Sequence, residues 1–117
     1  MTRQDVSWEG DSYKFIKDGF SDDAQENIGN DLRRVQEGEQ PLDSKPMGDA
    51  LPGCFELRDE DKDAWYRPIY TRIGGVVYVL NCFKKKTNKT PQNEIDKADQ
   101  RLKAVKQRLA KEKKKKR

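Results

Sequence analysis

Arg58, Arg67 and the run Lys84-Lys85-Lys86 concentrate positive charge in a chain of 117 residues that contains no histidine. Without histidine there is no Ser-His or Cys-His relay, no His-supported zinc site and no imidazole base near neutral pH. Lysine, arginine, tyrosine and carboxylates remain, and these suffice to cut RNA without a metal. The ribose 2′-hydroxyl can attack the adjacent phosphate if one group takes its proton, positive charge meets the pentavalent phosphate and a donor reaches the leaving oxygen. A guanidinium keeps its charge and donates two parallel hydrogen bonds, which suits Arg58 and Arg67 to the phosphate, with Arg67 the strongest single choice. A lysine of depressed pKa suits the proton acceptor, and spacing does not distinguish among the three.

The catalytic candidates are therefore Arg58, Arg67, Lys84 and Lys85. Lys86 and Lys89 are candidates for binding RNA, and so are Tyr66 and Phe83 if either ring reaches the rim to stack a base. Plainer roles exist for each. Arg58 can pair with Glu56 or with the acidic turn Asp59 to Asp63, the lysine run can be a solvated turn, and Tyr66 and Phe83 can pack in the core. Arg67 is harder to dismiss, because an arginine among apolar strand residues is costly without a partner or an open edge. No metal or cofactor site is expected, since the carboxylates lie in turns without ligand spacing. Cys54 and Cys82, in apolar runs without CxxC spacing, read as core thiols.

Charge is divided along the chain. Residues 1–83 carry 10 Lys or Arg against 17 Asp or Glu, a net of −7, whereas residues 84–117 carry 15 against 4, a net of +11. A basic terminal third points to a polyanionic partner, and the acidic remainder confines contact to one face. No apolar run approaches a membrane span and the N-terminus lacks a signal-peptide pattern, so no membrane role and a cytoplasmic location are expected. The length suits one domain over residues 1–110, with a disordered basic tail over 111–117.

The elements that must position these residues follow from periodicity. Asp5 to Trp8 reads as a strand. Asp11 to Phe20 and Asp22 to Glu37 read as a helical pair, the second with Asp22 as cap and Ala24, Ile28, Leu32 and Val35 as its stripe. Gln40 to Gly53, with three prolines, reads as a loop. Cys54 to Arg58, Trp65 to Ile73 and Val76 to Phe83 read as a meander, its last two strands joined by Gly74-Gly75. Thr90 as N-cap and Pro91 start a helix whose stripe runs Ile95, Ala98, Leu102, Val105, Leu109. The order is β-α-α-β-β-β-α, an α+β fold with a twisted antiparallel sheet. A two-residue turn at Gly74-Gly75 sets Arg67 opposite Cys82 and Trp65 opposite Lys84. Arg67 and Lys84 then share one face, with Tyr66 and Phe83 on the other. Pro68, inside the middle strand, predicts a bulge or an unpaired position there.

The segments Lys45-Pro46-Met47, Leu51-Pro52-Gly53, Phe55-Glu56-Leu57-Arg58, Tyr66-Arg67, Ile69-Tyr70, Phe83-Lys84-Lys85-Lys86-Thr87 and Lys89-Thr90-Pro91, with Ala98 and Arg101, resemble the phage-derived, Gp49-like branch of the RelE/HigB toxins, in the RelE/ParE superfamily. The resemblance runs over residues 5–105. It implies the toxin of a type II toxin-antitoxin system, a ribosome-dependent mRNA endoribonuclease that inhibits translation. The partners it implies are the ribosome with its mRNA and a cognate helix-turn-helix antitoxin, bound in a toxin-antitoxin hetero-oligomer. It also places catalytic basic residues at this end of the meander. Pro68 departs from the family pattern, which favours an aliphatic residue. The alternative is a non-catalytic, ParE-like toxin that poisons DNA gyrase, against which the clustered lysines beside Arg67 weigh. A third reading, a module that only covers RNA, fits poorly with the acidic first two-thirds.

Overall fold

The computed structural model of the chain describes residues 3–87 and 89–115. The elements run β1 (Asp5–Trp8), α1 (Ser12–Gly19), α2 (Asp22–Gln36), β2 (Ser44–Pro46), β3 (Cys54–Leu57), β4 (Asp59–Glu60), β5 (Trp65–Ile73), β6 (Val76–Lys85) and α3 (Gln92–Lys115). The fold is α+β, with a helical pair near the N-terminus and a C-terminal helix. Its six strands make one sheet in the order β1-β6-β5-β3-β2, with β4 paired to β5. The sheet is mixed rather than wholly antiparallel, because β1 lies parallel to β6. The stretch expected as a loop after α2 contains β2 and a 3₁₀ turn at Gly48–Ala50. A proline is tolerated in β2 because that strand is the sheet's edge. Part of the expected acidic turn is likewise the short strand β4.

One residue decides the geometry of the site. Gly74 and Gly75, at φ +57° and +81°, make the tight turn, and pairing proceeds in step as far as Tyr70↔Val79. The next pair is Ile69↔Asn81, so Leu80 is an extra residue in β6, a β-bulge met just before Pro68, which itself faces Cys82. Every pair beyond it differs by one from the turn-based expectation. Arg67 faces Phe83, Trp65 faces Lys85 and Tyr66 faces Lys84. A one-residue slip exchanges the faces. Lys85 therefore joins the face of Arg67, and Lys84 lies on the opposite one.

The two faces carry separate cores. On one, α1 and α2 bury Ile16, Phe20, Ala24, Ile28, Leu32 and Val35 against β5 and β6, including Tyr66, Tyr70 and Cys82. On the other, Ala98, Leu102 and Val105 of α3 cover Ile69, Leu80 and Phe83. Ser21, not Asp22, caps α2, its hydroxyl accepting from the Ala24 N–H at 3.2 Å. Arg101 of α3 donates to the Leu80 carbonyl at 3.0 Å and to Asn81 Oδ1 at 3.2 Å, while the Asn81 amide donates to the Glu94 carbonyl at 3.0 Å. The bulge is thereby tied to the helix above it. A second tie joins the chain's two ends: Arg108 donates to both oxygens of buried Glu9, at 2.8 and 3.2 Å. The helix α3 continues through Lys115 and so takes in residues 111–115 of the basic end. Lysine is a good helix former, and positive charge is favoured at a helix C-terminus. Residues 116 and 117 lie outside the described residues.

Candidate functional site

Arg67 lies near the start of β5, on the face of the sheet that carries the α3 core. Its neighbours there follow from strand pairing. Lys45 of β2 pairs with Glu56 of β3, and Glu56 with Ile69 of β5, which places Lys45 and Glu56 on the face of Arg67. Lys85 joins that face through its partner Trp65. Together with Arg58, Glu60 and Thr90 these residues line a pocket of about 230 Å³. Arg58, Glu60 and Arg67 also form one wall of a larger hollow, about 430 Å³, that reaches Asn27, Asp31 and Arg34 of α2.

Arg67 is 4% exposed, and its guanidinium is fixed from behind. Nη1 donates to the carbonyls of Asp59 at 3.1 Å and Tyr66 at 2.9 Å. Nε lies 3.8 Å from Oε1 of Glu56, an ion pair too long for a hydrogen bond. Among the described residues, Arg67 Nε and Glu56 Oε2 are both buried with no hydrogen-bond partner. Burial pulls the Arg67 pKa down, Glu56 opposes it and neighbouring Arg58 adds to it. An arginine remains charged across the physiological range regardless.

Lys85 is the lysine that enters the pocket. Its ammonium donates to Thr90 Oγ1 at 3.1 Å and sits 6.0 Å from the centre of the Trp65 ring, with the Arg67 guanidinium carbon 5.9 Å from the same ring. Burial holds its pKa below the ordinary lysine value, with Glu56 opposing and Arg67, Arg58 and Lys45 lowering it further. Such a group exchanges its proton closer to neutral pH than a solvated lysine does.

Three of the sequence-predicted residues, Arg58, Arg67 and Lys85, thus come together. Lys84 points to the other face and donates to the Gly19 carbonyl at 3.1 Å. Lys86 is exposed beside Asp63, Ala64 and Lys84, and Lys89 is exposed ahead of α3. Tyr66 and Phe83, considered for base stacking, are 4% and 1% exposed. Tyr66 packs on Phe20 with its hydroxyl donating to Asp61 at 2.8 Å, and Phe83 lies under α3. The aromatic ring on the pocket wall is Trp65. Burial pushes both cysteine thiols up, as core thiols require.

The residues missed were Lys45, Glu56, Glu60, Trp65 and Thr90. One carried a readable signal: alternation in β3 puts Glu56 on the same face as buried Cys54, and a carboxylate on a buried face calls for a partner.

The arrangement can hold a phosphate among Arg58, Arg67, Lys45 and Lys85, with the carboxylates of Glu56 and Glu60 in the same lining. Among the described residues no helix is long and apolar enough to cross a membrane. No curated protein matches the chain. The model of one protein family, described as phage-derived protein Gp49-like, matches residues 16–103, which include all the residues that line the pocket. The chain belongs to that Gp49-like family.

Proposed function

We propose that this chain is the toxin of a toxin-antitoxin pair and that it arrests growth by cutting messenger RNA on the ribosome at the Arg67 pocket. The family is associated with RelE-like toxins, which supports the coarser part of this reading. The observation that carries the finer part is the pocket itself. Arg67 is buried and braced, yet keeps an unpaired N–H, beside Arg58, Lys45 and a lysine of lowered pKa. A desolvated guanidinium that keeps an unpaired N–H is suited to an incoming anion. Arg67 and Arg58 hold the phosphate and meet the charge that grows on it. Lys85 is the lysine that moves a proton, and Trp65 supplies an aromatic surface behind both cations. No metal is required. Growth arrest is relieved by a co-encoded helix-turn-helix antitoxin that covers this basic surface.

Mapping transcript ends after brief induction of the chain tests the reading. Discrete new 5′ ends inside translated codons are expected. Intact transcripts together with double-strand DNA breaks would contradict it and favour gyrase poisoning.

A further inference from the structure

A pocket that bound phosphate alone would need only cations, yet a carboxylate is buried among them. Glu56 is 6% exposed, and its Oε2 accepts no hydrogen bond among the described residues. A buried ionised oxygen without a donor is costly unless a ligand brings one. The ligand that binds here must therefore present a hydroxyl close to its phosphate. In RNA the 2′-hydroxyl neighbours the 3′-phosphodiester, and in DNA that donor is missing. Position agrees with this. Glu56 is on β3 and Lys85 on β6, the two strands that flank β5, so they approach Arg67 from opposite sides. An in-line displacement needs its proton acceptor and its proton donor on opposite sides of the phosphorus.

We propose that Glu56 is the proton acceptor for the ribose 2′-hydroxyl, which makes the pocket a site for ribonucleotide 3′-phosphodiesters and makes Lys85 the donor to the leaving group. The assignment rests on the RNA-cutting reading above. The 2′-hydroxyl proton passes to Glu56 Oε2 while the O2′–P bond forms. The P–O5′ bond breaks, and the Lys85 ammonium gives its proton to O5′. The products are a 2′,3′-cyclic phosphate and a 5′-hydroxyl, and solvent returns the proton from Glu56 to Lys85. The role of acceptor, which sequence reasoning gives to one of the lysines, thus passes to Glu56.

Two measurements test this. In single-turnover cleavage on programmed ribosomes, folded Glu56→Gln should cut at the same positions about 10²–10⁴-fold more slowly than wild type. In the absence of ribosomes, the wild-type chain titrated with cytidine 3′-monophosphate should bind it about 10-fold more tightly than 2′-deoxycytidine 3′-monophosphate, the value of one hydrogen bond to a charged acceptor. Cleavage by Glu56→Gln at the wild-type rate overturns the assignment alone, and a wild-type chain that makes no cuts overturns the RNA-cutting reading with it. Should Glu56→Gln fail to fold, the nucleotide titration decides, and equal binding of the two nucleotides overturns the proposal.

Discussion

At the scale of residues, the difference between two adjacent lysines is the sharpest consequence of the structure. Lys84 and Lys85 are indistinguishable in sequence, yet one is spent on the Gly19 carbonyl of the opposite face and the other enters the Arg67 pocket. Lys85→Ala is expected to slow RNA cleavage by about 10²–10³-fold, whereas Lys84→Ala changes it by about twofold or less, with single-turnover rates as the check. Equal loss in both variants would mean that the pocket is drawn with the wrong lysine. The importance of Arg67 was legible because an arginine among apolar strand neighbours demands an explanation. Alternation in β3 marked Glu56 as a buried carboxylate, but its place beside Arg67, like that of Lys45, was not legible, because it depends on long-range pairing across β2, β3 and β5.

At the scale of elements, the sequence reading placed both helices of the N-terminal pair, the strands β1, β3, β5 and β6 and the start of α3 to within a few residues. It failed on register. A Gly-Gly turn fixes pairing only until the first irregularity, and the bulge at Leu80 lies beyond what local sequence reveals. Pro68 of β5 did announce an irregularity in that pair of strands, although the extra residue lies in β6, opposite the step from Ile69 to Tyr70. The bulge is held by Arg101, whose guanidinium takes up the Leu80 carbonyl left out of the ladder. Arg101→Ala should therefore cost about 1–3 kcal/mol in urea unfolding, and the rate of cleavage should fall as well, although Arg101 lines neither hollow beside Arg67. Unchanged cleavage in that variant would show that the bulge holds its place without this support.

At the scale of the whole molecule, the division of charge along the chain is only part of the story. Three cations of the pocket, Lys45, Arg58 and Arg67, come from the acidic first 83 residues, and folding gathers them beside Lys85 of the basic end. The ends are also joined by Glu9 and Arg108. The hydrogen bond from Arg108 holds the Glu9 carboxyl below the usual 4.5, against its burial and with help from Ser7. A depressed carboxylate contributes stability that is complete above the unfolded pKa and is lost as pH falls through the folded one. Arg108→Ala should thus cost about 1–2 kcal/mol at neutral pH, a modest figure because Arg108 is half exposed, and the gap to wild type should narrow as the pH falls from neutral to below the usual carboxylate value of 4.5. Thermal melts across that range are the check, and a gap independent of pH would contradict the account. Whether the Arg67 pocket cuts RNA is decided by single-turnover cleavage of messenger RNA on programmed ribosomes with wild type and Arg67→Ala. Wild type should leave 5′-hydroxyl ends inside codons, while Arg67→Ala, folded and still bound by the antitoxin, should lose at least about 10²-fold in rate. Cleavage by Arg67→Ala at the wild-type rate would contradict cutting at this pocket.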